Sequence, residues 1–567
     1  MHTETILERF MPKASSMRLS RRAFLTQAAA TLAAGAAVST VPGLAALGAV
    51  NEASGLPARP NLLFLVTDQE RQPRHWPEGW ADTHLDKARA RLLGNGLEFT
   101  RAYCNASMCS PSRCSLFTGL YPAQHGVVHT LTEGGSLSPS EVTLSASLLN
   151  LGKLLGEAGY DVQYRGKWHL SKGADGGTPS ADDVAAFGFH GWVPTDAGEA
   201  QDVDNFGGGC AAHDDDTIAQ AIAYLQTQTP EATATTPFCL VVCLANPHDV
   251  LAYPRLWNQE SCQDSYKNTA DLDLGLTVPA SYASDDLSVK PGVQQQSKDL
   301  YALGLGTLPT PGDRLDYVNF YGYLHKVVDE KLDSVLQVLA DRGLTAGTVV
   351  VRTADHGEMG LAHSGLRQKM FNVYEESYNV PLIISNPALF PSPATTAAYA
   401  GLVDVLPTVA ALCGVPFWKW RHLPGKNLGA VLQNPTSSVQ DTILVTFDDE
   451  YAGQNEAPPY ITEPCHIRCI IHRDADGEWK YARYFDPEGS VADVQEMYRL
   501  RDGSGADADP DELDNMANPA SPNYDAFAAK RQELAALLAA EEARRLAPAV
   551  PGGPPLPLLL LLGEEEV

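Results

Sequence analysis

The chain has 567 residues, of which 44% are hydrophobic and 19% charged, enough for more than one domain around a large core. Its formal net charge is −28, from 41 Lys and Arg against 69 Asp and Glu. Such a field argues against nucleic acid or an anionic membrane surface as a partner, and an anionic substrate would need a locally basic pocket.

Ser20-Arg21-Arg22-Ala23-Phe24-Leu25 precedes an Ala-rich, mildly apolar stretch that runs to about residue 50. Twin arginines ahead of such a region read as a twin-arginine export signal over residues 1–50. Thr, Ser, Pro42 and Gly43 interrupt the stretch, which disfavours a transmembrane helix and hence stable membrane insertion. The expectation is an exported protein, periplasmic or extracellular, with the twin-arginine export machinery as a partner in biogenesis.

After a linker at Pro57 to Pro60, residues 61–66 form a continuous apolar run, as expected of a buried parallel strand, and it ends in Thr67-Asp68-Gln69. Ligands of open α/β sheets bind beyond the carboxyl ends of strands, which places Asp68 at a candidate site. Residues 84–95 read as an amphipathic helix and 97–103 as a strand. Next comes Cys109-Ser110-Pro111-Ser112-Arg113, with Pro111 suited to a first helical position. Cys109 is thereby placed near a helix N-terminus and Arg113 one turn on, a thiol beside a cation suited to an anionic ester.

The same grammar recurs down the chain. A helical pattern at 144–158 and a strand at 160–164 lead to Gly166-Lys167-Trp168-His169-Leu170, where Lys167 and His169 alternate onto one face. A strand at 237–245 leads to His248, and one at 348–352 leads to Asp355-His356-Gly357-Glu358, with Lys369 shortly after. Residues 171–212 are irregular; Asp214 to Asp216 read as a helix start or a solvated face rather than a metal cluster. Residues 250–310 read as a substrate-facing insertion and 313–343 as a long helix. A strand at 380–385 follows. From about 437 the pattern turns to short strands, 442–447, 467–472 and 479–484, with an Asp476-Gly477 turn that predicts an antiparallel hairpin. Residues 523–545 read as a final helix, and the apolar run at 558–562 is too short to span a bilayer. Among ten cysteines none falls at zinc-finger spacing; Cys239 and Cys243 read as core, and Cys465 and Cys469 as a possible pair.

The C-x-P-S-R run followed by Thr118-Gly119, together with the G-K-W-H-L run at 166–170, resembles the signatures of the sulfatase family, formylglycine-dependent members of the alkaline-phosphatase-like superfamily. The resemblance covers roughly residues 58–520. It implies an α/β fold, a large mixed sheet flanked by helices, with a smaller C-terminal α+β subdomain built on a short antiparallel sheet. It divides the chain into a catalytic domain at 58–435, a C-terminal subdomain at 436–545 and a tail at 546–567. It further implies that Cys109 is oxidised to formylglycine by a formylglycine-generating enzyme. A metal would then be held by Asp68, Gln69, Asp355 and His356. Arg113, Lys167 and Lys369 would hold sulfate oxygens, His248 would protonate the leaving alcohol, and His169 would deprotonate the second hydroxyl of the aldehyde hydrate.

Two carboxylates, an amide oxygen and one imidazole make a mostly hard site, suited to Ca2+, with Mg2+ or Mn2+ as alternatives. The implied reaction is hydrolysis of a sulfate monoester, on a small molecule or a carbohydrate, through a covalent sulfo-enzyme intermediate. Many sulfatases carry a second acidic residue where this chain has Gln69, which resembles the choline-sulfatase and phosphonate-monoester-hydrolase branches. A phosphonate monoester or phosphodiester hydrolase is therefore one alternative, and a non-catalytic sulfated-glycan-binding protein is another.

Overall fold

The computed structural model describes residues 55–132, 142–174, 176–198, 202–454 and 460–548. The export segment at residues 1–50 and the 558–562 run lie outside the described residues. The strands are β1 (Asn61–Asp68), β2 (Gly96–Phe99), β3 (Ala102–Tyr103), β4 (Asp161–Gly166), β5 (Phe238–Pro247), β6 (Thr348–Ala354), β7 (Leu382–Ser385), β8 (Ala394–Thr396), β9 (Ala400–Gly401), β10 (Thr442–Phe447), β11 (His466–Asp474), β12 (Gly477–Phe485) and β13 (Val494–Asp502). The longest helices among the described residues are α1 (Cys109–Thr118), α2 (His213–Thr227), α3 (Gly292–Gly304), α4 (Pro311–Asp341) and α5 (Ala528–Arg545).

Every residue of β1 is buried because both faces of its sheet are covered. Leu62, Phe64 and Val66 pack into one hydrophobic cluster. Leu63 and Leu65 point the other way, against Ile218 and Leu225 of α2 and Val328, Leu332 and Val335 of α4. Each such side chain contributes roughly 1.5–3 kcal/mol on burial. The sheet runs β4-β5-β1-β6-β7-β2-β8. β4, β5, β1 and β6 are mutually parallel, whereas β7 is antiparallel to both β6 and β2. The parallel strands therefore deliver the segments after Asp68, Gly166, Pro247 and Ala354 to one edge. This is the expected large mixed sheet flanked by helices.

α4 starts where Thr310-Pro311-Gly312-Asp313 dictates. Thr310 Oγ1 accepts from the Asp313 amide at 3.1 Å, and the Asp313 carboxylate accepts from the Thr310 amide at 2.9 Å. A separate antiparallel sheet, β10-β11-β12-β13, follows near the C-terminus. Leu534 and Leu538 of α5 pack on its Trp479, Tyr481 and Met497. The Thr446 amide of β10 donates to the Asn105 carbonyl at 2.9 Å, which ties this sheet to the loop leading into α1.

Several expectations shift in detail. The helix expected at 84–95 is two short ones, Trp80–His84 and Ala88–Gly94. The helix expected at 144–158 contracts to Leu151–Glu157, because the Asn150 side chain accepts from the Lys153 amide and caps it there. The strand expected at 97–103 splits: β2 joins the large sheet, and β3 pairs with β9. Cys465 and Cys469 are both free; the disulfide joins Cys210 to Cys262. Cys469 lies within β11, and four extended residues span roughly 13 Å, too far for a bridge. No helix among the described residues is long and apolar enough to cross a membrane.

Candidate active site

Four strand ends and one helix N-terminus meet at a single buried cluster. Asp68 closes β1, and the Asp355-His356 pair follows β6. Cys109 is the first residue of α1. Asp68, Cys109, Asp355 and His356 are all buried, and each offers one ligand atom such that all four atoms lie within 4.8 Å of one another. The Cys109 sulfur is 3.2 Å from His356 Nε2 and 3.7 Å from Asp68 Oδ1.

Glycines let the backbone make these approaches. Gly166 has φ +85°, and a Cβ there would stand 2.0 Å from the Cys243 carbonyl, so only glycine lets β4 turn Lys167 into the site. A Cβ on Gly357, just after His356, would stand 1.9 Å from the Glu376 carbonyl.

The charges are interleaved. Lys167 Nζ contacts Asp68 Oδ2 and the Gly198 carbonyl. Arg113 is fully buried beneath the cluster. Its Nη1 donates to Asp355 Oδ2 at 3.3 Å, its Nε to the Trp168 carbonyl at 3.0 Å and its Nη2 to the Tyr164 hydroxyl at 2.9 Å. Lys369 Nζ donates to Gln69 Oε1 at 2.6 Å, while Gln69 Nε2 donates to Glu358 at 2.8 Å and the Gln69 amide to Asp355 Oδ1 at 3.1 Å. The Gln69 amide oxygen is thus engaged by a lysine.

Burial works against the Asp68 charge, but Lys167, His248, His356 and Lys369 outweigh it and hold Asp68 well below the ordinary carboxylate range. Burial, reinforced by Asp68, pushes Asp355 up to about 7 against the pull of Arg113 and Lys167. The same two causes push the Cys109 thiol up to about 12, so as a thiol it stays protonated. Burial together with Lys369 brings His356 down to about 3. Burial also pulls His169 and His248 well below the usual imidazole range, with Lys167 adding to the effect at both.

The donor set fits a hard divalent cation. His356 Nδ1 lies 3.0 Å from the Gly357 carbonyl, and if it donates there, the Nε2 lone pair faces Asp68 Oδ1 at 3.4 Å and Asp355 Oδ1 at 3.7 Å. Lys167 and Arg113 offset part of the charge of the two carboxylates from behind, and a divalent cation between these oxygens and the imidazole lone pair would offset the rest.

The cluster opens into a cavity of about 400 Å³ whose lining includes Cys109, His169, His248 and Lys369. His169 Nε2 is 2.5 Å from the Leu131 carbonyl, whereas its Nδ1 has no partner; His248 Nδ1 also has none. The outer wall comes from Leu251, Leu300, Tyr301, Leu305, Gln368 and Met370.

All ten residues singled out in the sequence converge here. Three supporting residues were not singled out. Glu358 is held by the Tyr317 hydroxyl at 2.7 Å and itself holds Gln69. Asp196 accepts from the Trp168 and His169 amides at 2.6 and 2.8 Å and so fixes the 166–170 turn. Ser112 donates to the Asp355 carbonyl at 2.5 Å. Glu358 and Ser112 adjoin the site residues within their own motifs and were legible as neighbours; Asp196 lies in the irregular stretch and carries no local signal. The Asp214 to Asp216 run opens α2, as expected, and Asp214 accepts from the Ala245 and Asn246 amides.

A family model described as Sulfatase matches residues 60–415. The chain is 28% identical over 417 residues to "Uncharacterized sulfatase YidJ" of Escherichia coli K12, covering 70% of this chain and 76% of that one. It is 25% identical over 504 residues to a "Delta 4,5-hexuronate-2-O-sulfatase" of Bacteroides thetaiotaomicron, covering 87% and 90%. Among solved structures, a phosphonate monoester hydrolase from Silicibacter pomeroyi shares the fold with a TM-score of 0.62 at 21% identity, covering 86% and 96%.

Proposed function

The chain belongs to the sulfatase family, and from that premise we propose that it hydrolyses sulfate monoesters at the Cys109 cluster after Cys109 has been converted to formylglycine. The observation that carries this reading is the meeting of Asp68, Cys109, Asp355 and His356 at the floor of a cavity that His169, His248 and Lys369 also line. The substrate class is a small-molecule or carbohydrate sulfate ester. The name of the Bacteroides relative, a hexuronate sulfatase, favours a carbohydrate.

Asp68, Asp355 and His356 would hold the metal, with Ca2+ the first choice and Mg2+ or Mn2+ the alternatives, and Gln69 would complete the set by releasing its oxygen from Lys369. When bound, the ion would neutralise the two carboxylates and acidify a hydroxyl beside it. Once formed, the hydrated aldehyde at residue 109 would supply through a deprotonated hydroxyl the oxygen that bonds to sulfur as the bond from sulfur to the leaving oxygen breaks, so that the SO3 group passes to the enzyme and the leaving oxygen stays with the alcohol. His248 would deliver the proton to the departing alcohol; burial and Lys167 keep its imidazole neutral beforehand, so it would gain that proton as the anionic ester binds beside it. Its buried position and unpartnered Nδ1 leave it free to face substrate. His169, fixed through its amide by Asp196 and through Nε2 by the Leu131 carbonyl, takes the proton of the second hydroxyl, so that sulfate leaves and the aldehyde returns.

Lys369 lines the cavity and would grip sulfate oxygens. Lys167 and Arg113 are turned onto Asp68 and Asp355, so their proposed share is to place those carboxylates and to supply positive potential from beneath. The proposed catalytic domain spans 58–435 and the C-terminal subdomain 436–545. Maturation would need a formylglycine-generating enzyme, and export the twin-arginine machinery, toward a periplasmic or extracellular location. That location suits the Cys210–Cys262 disulfide.

The test pairs two substrates on purified protein, 4-nitrophenyl sulfate and an aryl phosphonate monoester. The reading predicts a higher kcat/KM on the sulfate, lost in Cys109→Ala. A higher value on the phosphonate would move the assignment to that hydrolase class. Turnover of neither, with the thiol intact, would favour a binding protein.

A further inference from the structure

Beside the substrate cavity lies a second one of about 180 Å³, lined by Tyr282, Lys298, Tyr301, Leu308, Arg314 and Arg367 among others. Tyr301 lines both cavities, and the consecutive residues Arg367 and Gln368 line the second and the first respectively. The two spaces therefore adjoin, with Tyr301 in the wall of both.

The charge of the second cavity departs from that of the rest of the molecule. In a chain of net charge −28, its lining holds three cations and no Asp or Glu. None of the three is ion-paired among the described residues; backbone carbonyls tether each instead. Lys298 Nζ donates to the Ser364 carbonyl at 2.6 Å. Arg314 donates through Nε to the Leu308 carbonyl at 3.2 Å and through Nη2 to the Pro309 carbonyl at 2.9 Å. Arg367 Nη2 donates to the Gly306 carbonyl at 2.7 Å. Arg367 is only 6% exposed, and its Nη1 is buried without a partner.

A carbonyl fixes where a cation points without cancelling its charge. Three like charges held around one small space repel one another, and a buried N–H left unpaired costs further free energy. Both costs are relieved by an oxyanion, which guanidinium groups match through paired N–H donors and an ammonium through its point charge.

We propose that this cavity is a subsite for a second anionic group, a sulfate or a carboxylate, on the same substrate whose scissile sulfate lies beside Cys109. The proposal rests on the sulfatase reading and extends it, since it selects doubly anionic esters over singly anionic ones. Lys298 and Arg314 are the partly exposed members and would set entry; Arg367 would anchor the anion from beneath.

The test measures kcat/KM for 4-nitrophenyl sulfate and for a disaccharide carrying one sulfate and one carboxylate. The proteins are wild type, Lys298→Gln, Arg314→Gln and the double variant, which avoid any change at the buried arginine. Wild type should prefer the disaccharide. Each single change should lower that preference about threefold and the double change about tenfold, chiefly through KM, as expected for partly exposed charge pairs, and added salt should erode the preference most in wild type and least in the double variant. Equal losses on both substrates, or no preference in wild type, would overturn the subsite while leaving the sulfatase reading intact. Failure of wild type on every sulfate ester would overturn the sulfatase reading and the subsite with it. Inorganic sulfate separates the two sources of the anion. If it stimulates hydrolysis of 4-nitrophenyl sulfate in wild type and not in the double variant, the cavity takes a free anion and the substrate assignment is wrong.

Discussion

Two of the clusters of buried charge among the described residues are built to opposite ends. At the strand ends, Asp68, Asp355 and His356 aim lone pairs at one another, and His169 and His248 each leave a ring nitrogen unpartnered toward a cavity. Between the two sheets, the second cluster is closed. Lys480 Nζ lies 3.0 Å from Glu375 and 2.6 Å from Glu512, and it donates to the Val373 carbonyl at 2.7 Å. His363 bonds Asp285 at 2.8 Å and stacks on Tyr374 at 3.5 Å. Tyr374 donates to Gln294, which itself bonds Glu496 of β13. The second cluster answers most of its charges with opposite charges and hydrogen bonds and so holds the sheets together, although His363 Nε2 has no hydrogen bond and a ring nitrogen of His363 lies within 4.8 Å of carboxylate oxygens of Glu376 and Glu512. The first leaves its own partly unanswered, which is what a site awaiting an ion and an anionic ester requires.

That contrast breaks first at Cys109. Cys109→Ala removes the proposed reacting group from the open cluster and should lower turnover about 10⁴-fold or more, while the melting temperature stays within a few degrees of wild type, because no structural charge is exposed. Calorimetry beside steady-state assays checks both halves. Next in size, His248→Ala should cost roughly 10²–10⁴ in kcat, and the loss should shrink as the leaving alcohol becomes more acidic, since a better leaving group needs less protonation. A loss independent of the leaving group would remove His248 from the acid role.

The closed cluster should respond the other way. Lys480→Met takes the cation from Glu512 and one of the cations from Glu375, which keeps Arg74, and should destabilise the fold by about 3–5 kcal/mol in denaturant titrations, with kcat of the remaining folded protein close to wild type. The smallest effect concerns pH. His363 is held at about 9: burial opposes its charge, but Asp285 and Glu376 more than offset it. A raised histidine pKa contributes stability in full below the unfolded value near 6.5, and that contribution is lost as pH rises through 9. Unfolding free energy should therefore fall by on the order of 3 kcal/mol between pH 6 and 10, and His363→Gln should flatten the slope. An unchanged slope in that variant would place the titration elsewhere.

The two clusters also differ in how far the sequence reveals them. Asp68, Lys167, His248 and Asp355 each follow an apolar run, and the rule that parallel strands present their carboxyl ends to ligands gathers them before any coordinate is known. Cys109 and Arg113 add a helix start, though the helix opens at Cys109 itself, two residues ahead of Pro111, the residue suited to its first position. The closed cluster has no such rule. Asp285 reaches His363 from a loop far back in the chain, and only the packing of β12 and of the segment after β13 brings Lys480 and Glu512 to Glu375. The same holds for Asp196, for the Cys210–Cys262 bridge and for α3, whose Leu300 and Tyr301 wall the cavity from a stretch with weak periodicity. Local pattern reports what a strand or helix presents; it is silent on which distant loop comes to meet it.

Mass spectrometry of the peptide spanning Cys109, from protein made alongside a formylglycine-generating enzyme, tests the central claim most directly. Loss of the sulfur and gain of an oxygen at that residue, in proportion to sulfate ester turnover across preparations, is the predicted result. An intact thiol in protein that turns over sulfate esters at full rate would contradict it.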